Sequence, residues 1–141
     1  MRLRYIIPII ALSTAAIAAD ATDPYVKARQ ALMKEFGGAM QVIGGMAQGK
    51  MAFDAEKAAM AKAAMAAAAP RIPAVFEPQA TDPESEALPA IWENYDDFTT
   101  RAMTLETAVA GLETGSLDDL RAGMGALGGA CGACHKLYKA D

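Results

Sequence analysis

Cys131-Gly132-Ala133-Cys134-His135 lies near the C-terminus of the 141-residue chain, and its spacing has a specific chemical reading. C-x-x-C-H is an attachment site for c-type haem. Two thiols add across the two vinyl groups of one porphyrin and leave thioether bonds, and the adjacent imidazole meets the iron from one side. On a helix, Cys131 shares a face with Cys134 at i, i+3 and with His135 at i, i+4. All three groups can therefore point at one flat ligand. His135 is the only histidine in the sequence, so no second imidazole is available to the iron.

Other uses of a cysteine pair fit less well. A structural zinc site takes four ligands, commonly from two separated pairs, and this chain has two cysteines and one histidine. A thioredoxin-like dithiol follows a strand in a βαβ pattern and opens a helix, whereas this pair sits near the end of the last helical segment. A plain disulfide is the remaining alternative.

Working outward from the motif, the segment from Leu117 to about Lys139 reads as a helix opened by Ser116. Asp119, three residues on, completes a capping box with the shorter acid. The segment holds Gly123, Gly125, Gly128, Gly129 and Gly132. Each costs roughly 0.5–1 kcal/mol relative to alanine in a helix interior. The expectation is that these glycines let the helix approach the flat haem and its neighbouring helices, and that the helix needs bound haem to be firm.

Three more helical segments precede it, rich in Ala, Met, Leu, Glu and Lys and poor in β-branched residues. The first opens on Asp23-Pro24, an N-cap followed by proline at the first helical position, and runs to about Gln48. Its stripe is Leu32, Phe36, Ala39, Ile43 and Met46, and Gly49 is its stop. The second runs from the N-cap Asp54 to about Ala69, with Met60 and Met65 available for burial together with Ile72. Pro70 ends it. Residues 70–89 hold five prolines and read as an ordered loop of the kind that is often functional. The third runs from about Pro89 to Glu113, with Ile91, Tyr95, Phe98, Ala102 and Leu105 on one face. Four such segments predict an all-α bundle.

At the other end, Arg2 and Arg4 precede a short apolar run, Tyr5 to Leu12, and small residues follow to Ala19. This is the pattern of a secretory signal peptide, cleaved after Ala18 or Ala19, and the run falls short of the ~20 residues that cross a bilayer. Export agrees with the motif, because c-type haem is attached outside the bacterial cytoplasm. The expected domains are a signal peptide over 1–19 and one bundle over 20–141. Loss of Arg2 and Arg4 takes the formal charge from −4 to −6. An acidic surface argues against nucleic acid and for a soluble protein with no stable membrane insertion.

Together these features resemble class II cytochromes c, the cytochrome c prime family, whose fold is an antiparallel up-down-up-down four-helix bundle. The resemblance covers the whole mature chain. Arg29 to Lys34 with Gly37 is similar to the family's opening helix, Gly44 to Asp54 to its first turn, and Phe76 with Ile91-Trp92 to its third-helix entry. Cys131 to Lys139 is similar to its end. A class I cytochrome c carries the motif near its N-terminus instead.

The resemblance implies one haem c, thioether sites at Cys131 and Cys134, and His135 as proximal ligand. It places Arg29 and Gln30 near the haem edge, where a guanidinium can pair with a propionate, and brings Glu86 to Leu88 toward the same groups. Lys139 falls where the family usually has arginine, and a lysine lacks the planar fork. Met33 stands where low-spin members carry a sixth iron ligand, while other members are five-coordinate and bind nitric oxide or carbon monoxide. The chain has nine methionines, so Met33 is also readable as core filler. The resemblance thus implies a periplasmic one-electron carrier that meets redox partner proteins, with gas binding as the alternative. It is not expected to be an enzyme, since Asp96-Asp97 and Asp118-Asp119 read as solvated surface. Members often pair as antiparallel homodimers through their first two helices, and the second helix here suits that use.

Overall fold

A computed structural model of the chain describes residues 20–140. The expected signal peptide, residues 1–19, lies outside the described residues. Four long helices form the frame: α1 (Pro24–Ala47), α2 (Ala55–Ala68), α5 (Tyr95–Ala110) and α6 (Leu117–Tyr138), with short helices α3 (Ile72–Phe76) and α4 (Ala90–Glu93) between them. They make an antiparallel four-helix bundle, α1 lying along α2 and α5 along α6, with α6 also packed on α1. No helix among the described residues is long and apolar enough to cross a membrane.

The helix ends follow the sequence signals. Asp23 Oδ1 accepts from the amides of Tyr25 and Val26 at 2.8 and 3.1 Å, answering two of the free N–H groups that every helix start leaves. Gly49 ends α1 at φ +73°, a left-handed conformation that glycine adopts without a Cβ penalty. Asp54 Oδ1 caps α2 through the Lys57 amide at 3.0 Å. Ser116 Oγ accepts from the Asp119 amide at 3.1 Å and lies 2.6 Å from the Asp119 carboxylate.

The expected stripes are the buried ones. Leu32, Phe36, Ala39, Ile43 and Met46 from α1 meet Met65 from α2, Phe98 and Leu105 from α5, and Leu120 and Leu127 from α6. Each large apolar side chain taken from water in this way contributes about 1.5–3 kcal/mol. Met60 departs from expectation. It is 59% exposed, because α2 turns Ala58, Ala61, Met65 and Ala68 inward instead.

Two boundaries differ from the sequence reading. Pro70 does not end helical structure: a 3-10 turn, Ala69–Arg71, leads directly into α3. Pro70 and Pro73 both fall in first-turn positions, where the missing N–H has no helical partner to lose. The third segment, expected as one helix, breaks at Asn94, whose φ and ψ are −132° and 49°.

The remaining loop, residues 77–88, is held from outside because its prolines cannot supply a ladder of their own. Asp82 Oδ2 accepts from the amides of Thr22 and Asp23 at 2.7 and 3.0 Å and from the Thr22 hydroxyl at 3.0 Å. Trp92 Nε1 donates to the carbonyls of Phe76 and Glu77 at 2.9 and 3.2 Å. The loop's end pairs with the tail after α6: Leu88 N to Tyr138 O at 3.0 Å and Ala140 N to Glu86 O at 2.8 Å.

Candidate haem site

A single spacing rule builds two walls of one cavity. On α1, Val26, Arg29, Gln30, Met33 and Phe36 recur at steps of one helical turn and line its first wall. On α6, Ala130, Cys131, Cys134, His135 and Tyr138 do the same for the opposite one. Phe76, Ile91, Phe98, Ala102 and Leu105 close the space between, and Ser85 to Ala87 form its rim. The cavity between the two walls has a volume of about 200 Å³ and opens to solvent at its rim.

The residues fit a haem. Cys131 and Cys134 are half-buried and form no disulfide with each other. Burial pushes both thiols up from their usual range, at Cys134 against the opposing charge of Arg101. A redox dithiol or a thiolate metal site shows the reverse shift. Among the described residues no group of three or more His, Cys, Asp or Glu side chains could hold a metal ion, so the zinc alternative finds no second ligand pair there. Packing at the cavity, with Lys139 nearby, holds the His135 imidazole below its usual range although much of the residue is exposed. That direction favours the neutral form, which has a nitrogen lone pair for iron.

Arg29 lines the cavity and also ties down the loop beside it. It is 3% exposed, with its guanidinium carbon 4.8 Å from the Trp92 ring centroid and 5.5 Å from that of Phe76. Its terminal nitrogens donate to the carbonyls of Pro78 and, at 3.4 Å, Ala80. Nε is the one nitrogen left without any protein partner, and its N–H is a donor that Arg29 can offer a carboxylate in the cavity. Gln30 likewise ties the loop, its Nε2 donating to Glu84 O at 2.9 Å. Glu86 reaches the rim, and its carboxylate pairs with Lys139 Nζ at 3.0 Å. Lys139 lines the cavity but is drawn toward Glu86 and the Ala140 carbonyl.

Among the glycines of α6, Gly123 makes the one close approach, and it is to the connection from α5 and not to a neighbouring helix. A Cβ there would sit 2.5 Å from Leu112 Cδ1. Gly125, Gly128, Gly129 and Gly132 have open space where a Cβ would be, and none of the five lines the cavity.

Arg101 and Tyr138 line the cavity and were not singled out in the sequence. Arg101 Nε and the Tyr138 hydroxyl donate to Asp97 at 2.7 and 2.5 Å, and Asp97 is exposed, as its reading as solvated surface expected. The i, i+4 spacing of Asp97 and Arg101 was a visible signal. That Tyr138 joins them depends on how α6 crosses α5, which no local pattern encodes.

The comparisons agree with this architecture. The family model described as Cytochrome C' matches residues 24–139. A cytochrome c-556 of Agrobacterium tumefaciens (strain B2A) is 36% identical over 118 residues, covering 81% of this chain and 95% of that protein. A cytochrome c' of Rhodospirillum rubrum is 33% identical and covers all of both chains. The solved cytochrome c' of Rhodopseudomonas palustris superposes with a TM-score of 0.78 at 28% identity, covering 85% of this chain and 98% of that one. With a matching model over nearly all the described residues, the same bundle, and two cysteines to carry its covalent haem c, the chain belongs to the cytochrome c' family.

Proposed function

We propose that the protein is an exported one-electron carrier whose haem is anchored at Cys131 and Cys134, with His135 and Met33 as axial ligands. The observation that carries this reading is the place of Met33. Among the described residues it is the one methionine that lines the cavity. Met46 and Met65, each 1% exposed, are the core fillers, whereas Met33 is half-buried and lines the cavity from α1, as His135 does from α6. Its thioether is thus available to the cavity from a different helix than the imidazole.

Bound there, the haem iron supplies one-electron oxidation and reduction. His135 offers a neutral donor, and Met33 offers a soft one that favours the ferrous state and raises the potential. Phe36, Phe76, Phe98 and Leu105 keep water from the space, which lowers the local dielectric and favours the less charged form. Arg29 and Gln30 hold the loop at the cavity's edge, and the unpartnered Nε of Arg29 would be a donor for a propionate. With both cysteines and His135 committed, no Ser-His-Asp or Cys-His set survives, so a carrier that meets redox partner proteins fits better than an enzyme. Residues 1–19 are the export signal, and the mature protein is periplasmic. Intact mass of the mature chain, beginning at Ala19 or Asp20, checks that part.

The axial assignment is tested by absorption spectra of the ferric and ferrous protein and of Met33→Leu. The expected wild type is low-spin in both states and slow to take up carbon monoxide. Met33→Leu turns the ferrous spectrum high-spin, lowers the potential and admits carbon monoxide quickly. A high-spin ferrous spectrum in the unmutated protein at neutral pH overturns the reading and makes nitric oxide or carbon monoxide binding the function.

A further inference from the structure

The turn of α6 that carries Cys134 and His135 is tied to α5 on both sides by one charged pair. Before Cys134, Arg101 Nη1 donates to the Ala133 carbonyl at 3.3 Å. After His135, the Tyr138 hydroxyl donates to Asp97 Oδ2 at 2.5 Å. Arg101 and Asp97 also bond each other through Nε to Oδ2 at 2.7 Å and Nη2 to Oδ1 at 3.4 Å. Tyr138 is itself buried, edge-on to Phe98 with ring centroids 5.4 Å apart.

An exposed i, i+4 ion pair alone contributes little. This one differs in that both its members also bond to α6, its carboxylate taking a third donor from the buried Tyr138 and its cation standing on the cavity wall. Charges beside a low-dielectric cofactor pocket act on that cofactor more strongly than the same charges in water.

We propose that Asp97 and Arg101 are a compensated charge pair that positions the haem-bearing turn and sets the reduction potential from the His135 side. This rests on the reading that Cys131, Cys134 and His135 hold the haem. Ferric haem carries one more positive charge than ferrous haem. A cation on the wall therefore disfavours the ferric state and raises the potential, and a bare carboxylate lowers it. While paired, the two largely cancel. Removing either member uncovers the other.

Potentiometric titration of the holoprotein tests this through the sign of the shift. Asp97→Asn leaves Arg101 uncompensated, and the potential moves up. Arg101→Gln leaves Asp97 uncompensated, and the potential moves down. The double variant returns toward wild type. Arg101→Lys keeps the charge but not the fork that reaches Ala133, and stays close to wild type. Tyr138→Phe removes a bond and no charge, and shifts the potential less than either single charge variant.

A role that is only mechanical makes the opposite forecast: both single variants loosen the same turn, shift the potential in the same direction, and the double variant is worse than either. That result, or no shift in either single variant, overturns the proposal. Should Asp97→Asn fail to accumulate as holoprotein, Arg101→Gln against Arg101→Lys decides alone. A fall seen only in the glutamine variant supports the pair, and equal shifts in both overturn it. Failure of the underlying reading is recognised separately, since the wild-type protein would then lack the spectrum of a covalent, imidazole-ligated haem.

Discussion

The wall that α1 gives the cavity and the wall that α6 gives it differ in what keeps them in place. α1 is 24 residues long, capped by Asp23 at one end and stopped by Gly49 at the other. The loop over residues 77–88 is fastened to it through Asp82, Arg29 and Gln30. The haem-bearing end of α6 has cross-helix bonds to α5 and a short pairing with the loop, and its interior carries glycines that touch nothing. One wall is finished by the polypeptide. The other is completed by a covalent ligand. The lesson is that a helix carrying three chemical anchors to a rigid cofactor does not need strong intrinsic helix formers beside them.

The strongest way to break that contrast is to remove the anchors. Cys131→Ala with Cys134→Ala is expected to abolish covalent attachment, so that acid-acetone extracts all the haem that remains bound. Each single variant keeps at most one thioether. Recovery of the full haem-adduct mass from the double variant by mass spectrometry would show that attachment lies elsewhere.

How legible each wall was in the sequence follows the same division. The α6 wall is written in a short motif, because thioether chemistry demands fixed spacing and fixed residue types. The stripe of α1 was legible too, since Leu32, Phe36, Ala39, Ile43 and Met46 obey helical periodicity. What Arg29 does was not legible. Its partners are carbonyls of Pro78 and Ala80 and the rings of Phe76 and Trp92, which chain folding alone brings together. Asn94 gave little warning of the break between α4 and α5, and Pro70 gave a false one, since a proline in a first turn looks in sequence like one that ends a helix. Asp97 is the solvated surface carboxylate it looked like, but that it would accept from Tyr138 on α6 was not legible.

A second test sits on α6 itself. Gly123→Ala places a methyl group against Leu112, a fully buried side chain whose Cα is also within 3.6 Å of the new Cβ. Overpacking of that kind costs about 1–3 kcal/mol, and thermal or urea melts of the holoprotein should show the loss. An unchanged melt would mean that α6 has freedom to move away from Leu112, contrary to a close approach fixed by packing.

A weaker perturbation addresses what holds the α1 wall. The amides of Asp23, Glu84 and Thr22 all donate to Asp82 and hold its carboxyl well below the usual carboxylate range. A depressed folded-state pKa adds stability above the unfolded value, near ~3.9, and that stability is lost as pH falls through the folded value. Asp82→Asn should therefore melt below wild type at neutral pH, and the gap should close only as pH drops under about 4. A gap that stays constant into strong acid would assign the effect to shape and not to charge.

The smallest effect is the one that bears most directly on the contrast between the walls. Gly129 is exposed and meets nothing within 4 Å of a built Cβ, so alanine fits there without a clash. In an ordinary exposed helix position that change stabilises by roughly 0.5–1 kcal/mol. If the covalent haem already fixes the end of α6, Gly129→Ala should leave the ellipticity of the holoprotein unchanged and raise it in haem-free protein, where the glycines must bear the full entropy of ordering. Circular dichroism of the two forms, side by side, reads the difference. Equal ellipticity in variant and wild type for both forms would mean that α6 is as firm without haem as with it, and the two walls would then be held in the same way after all.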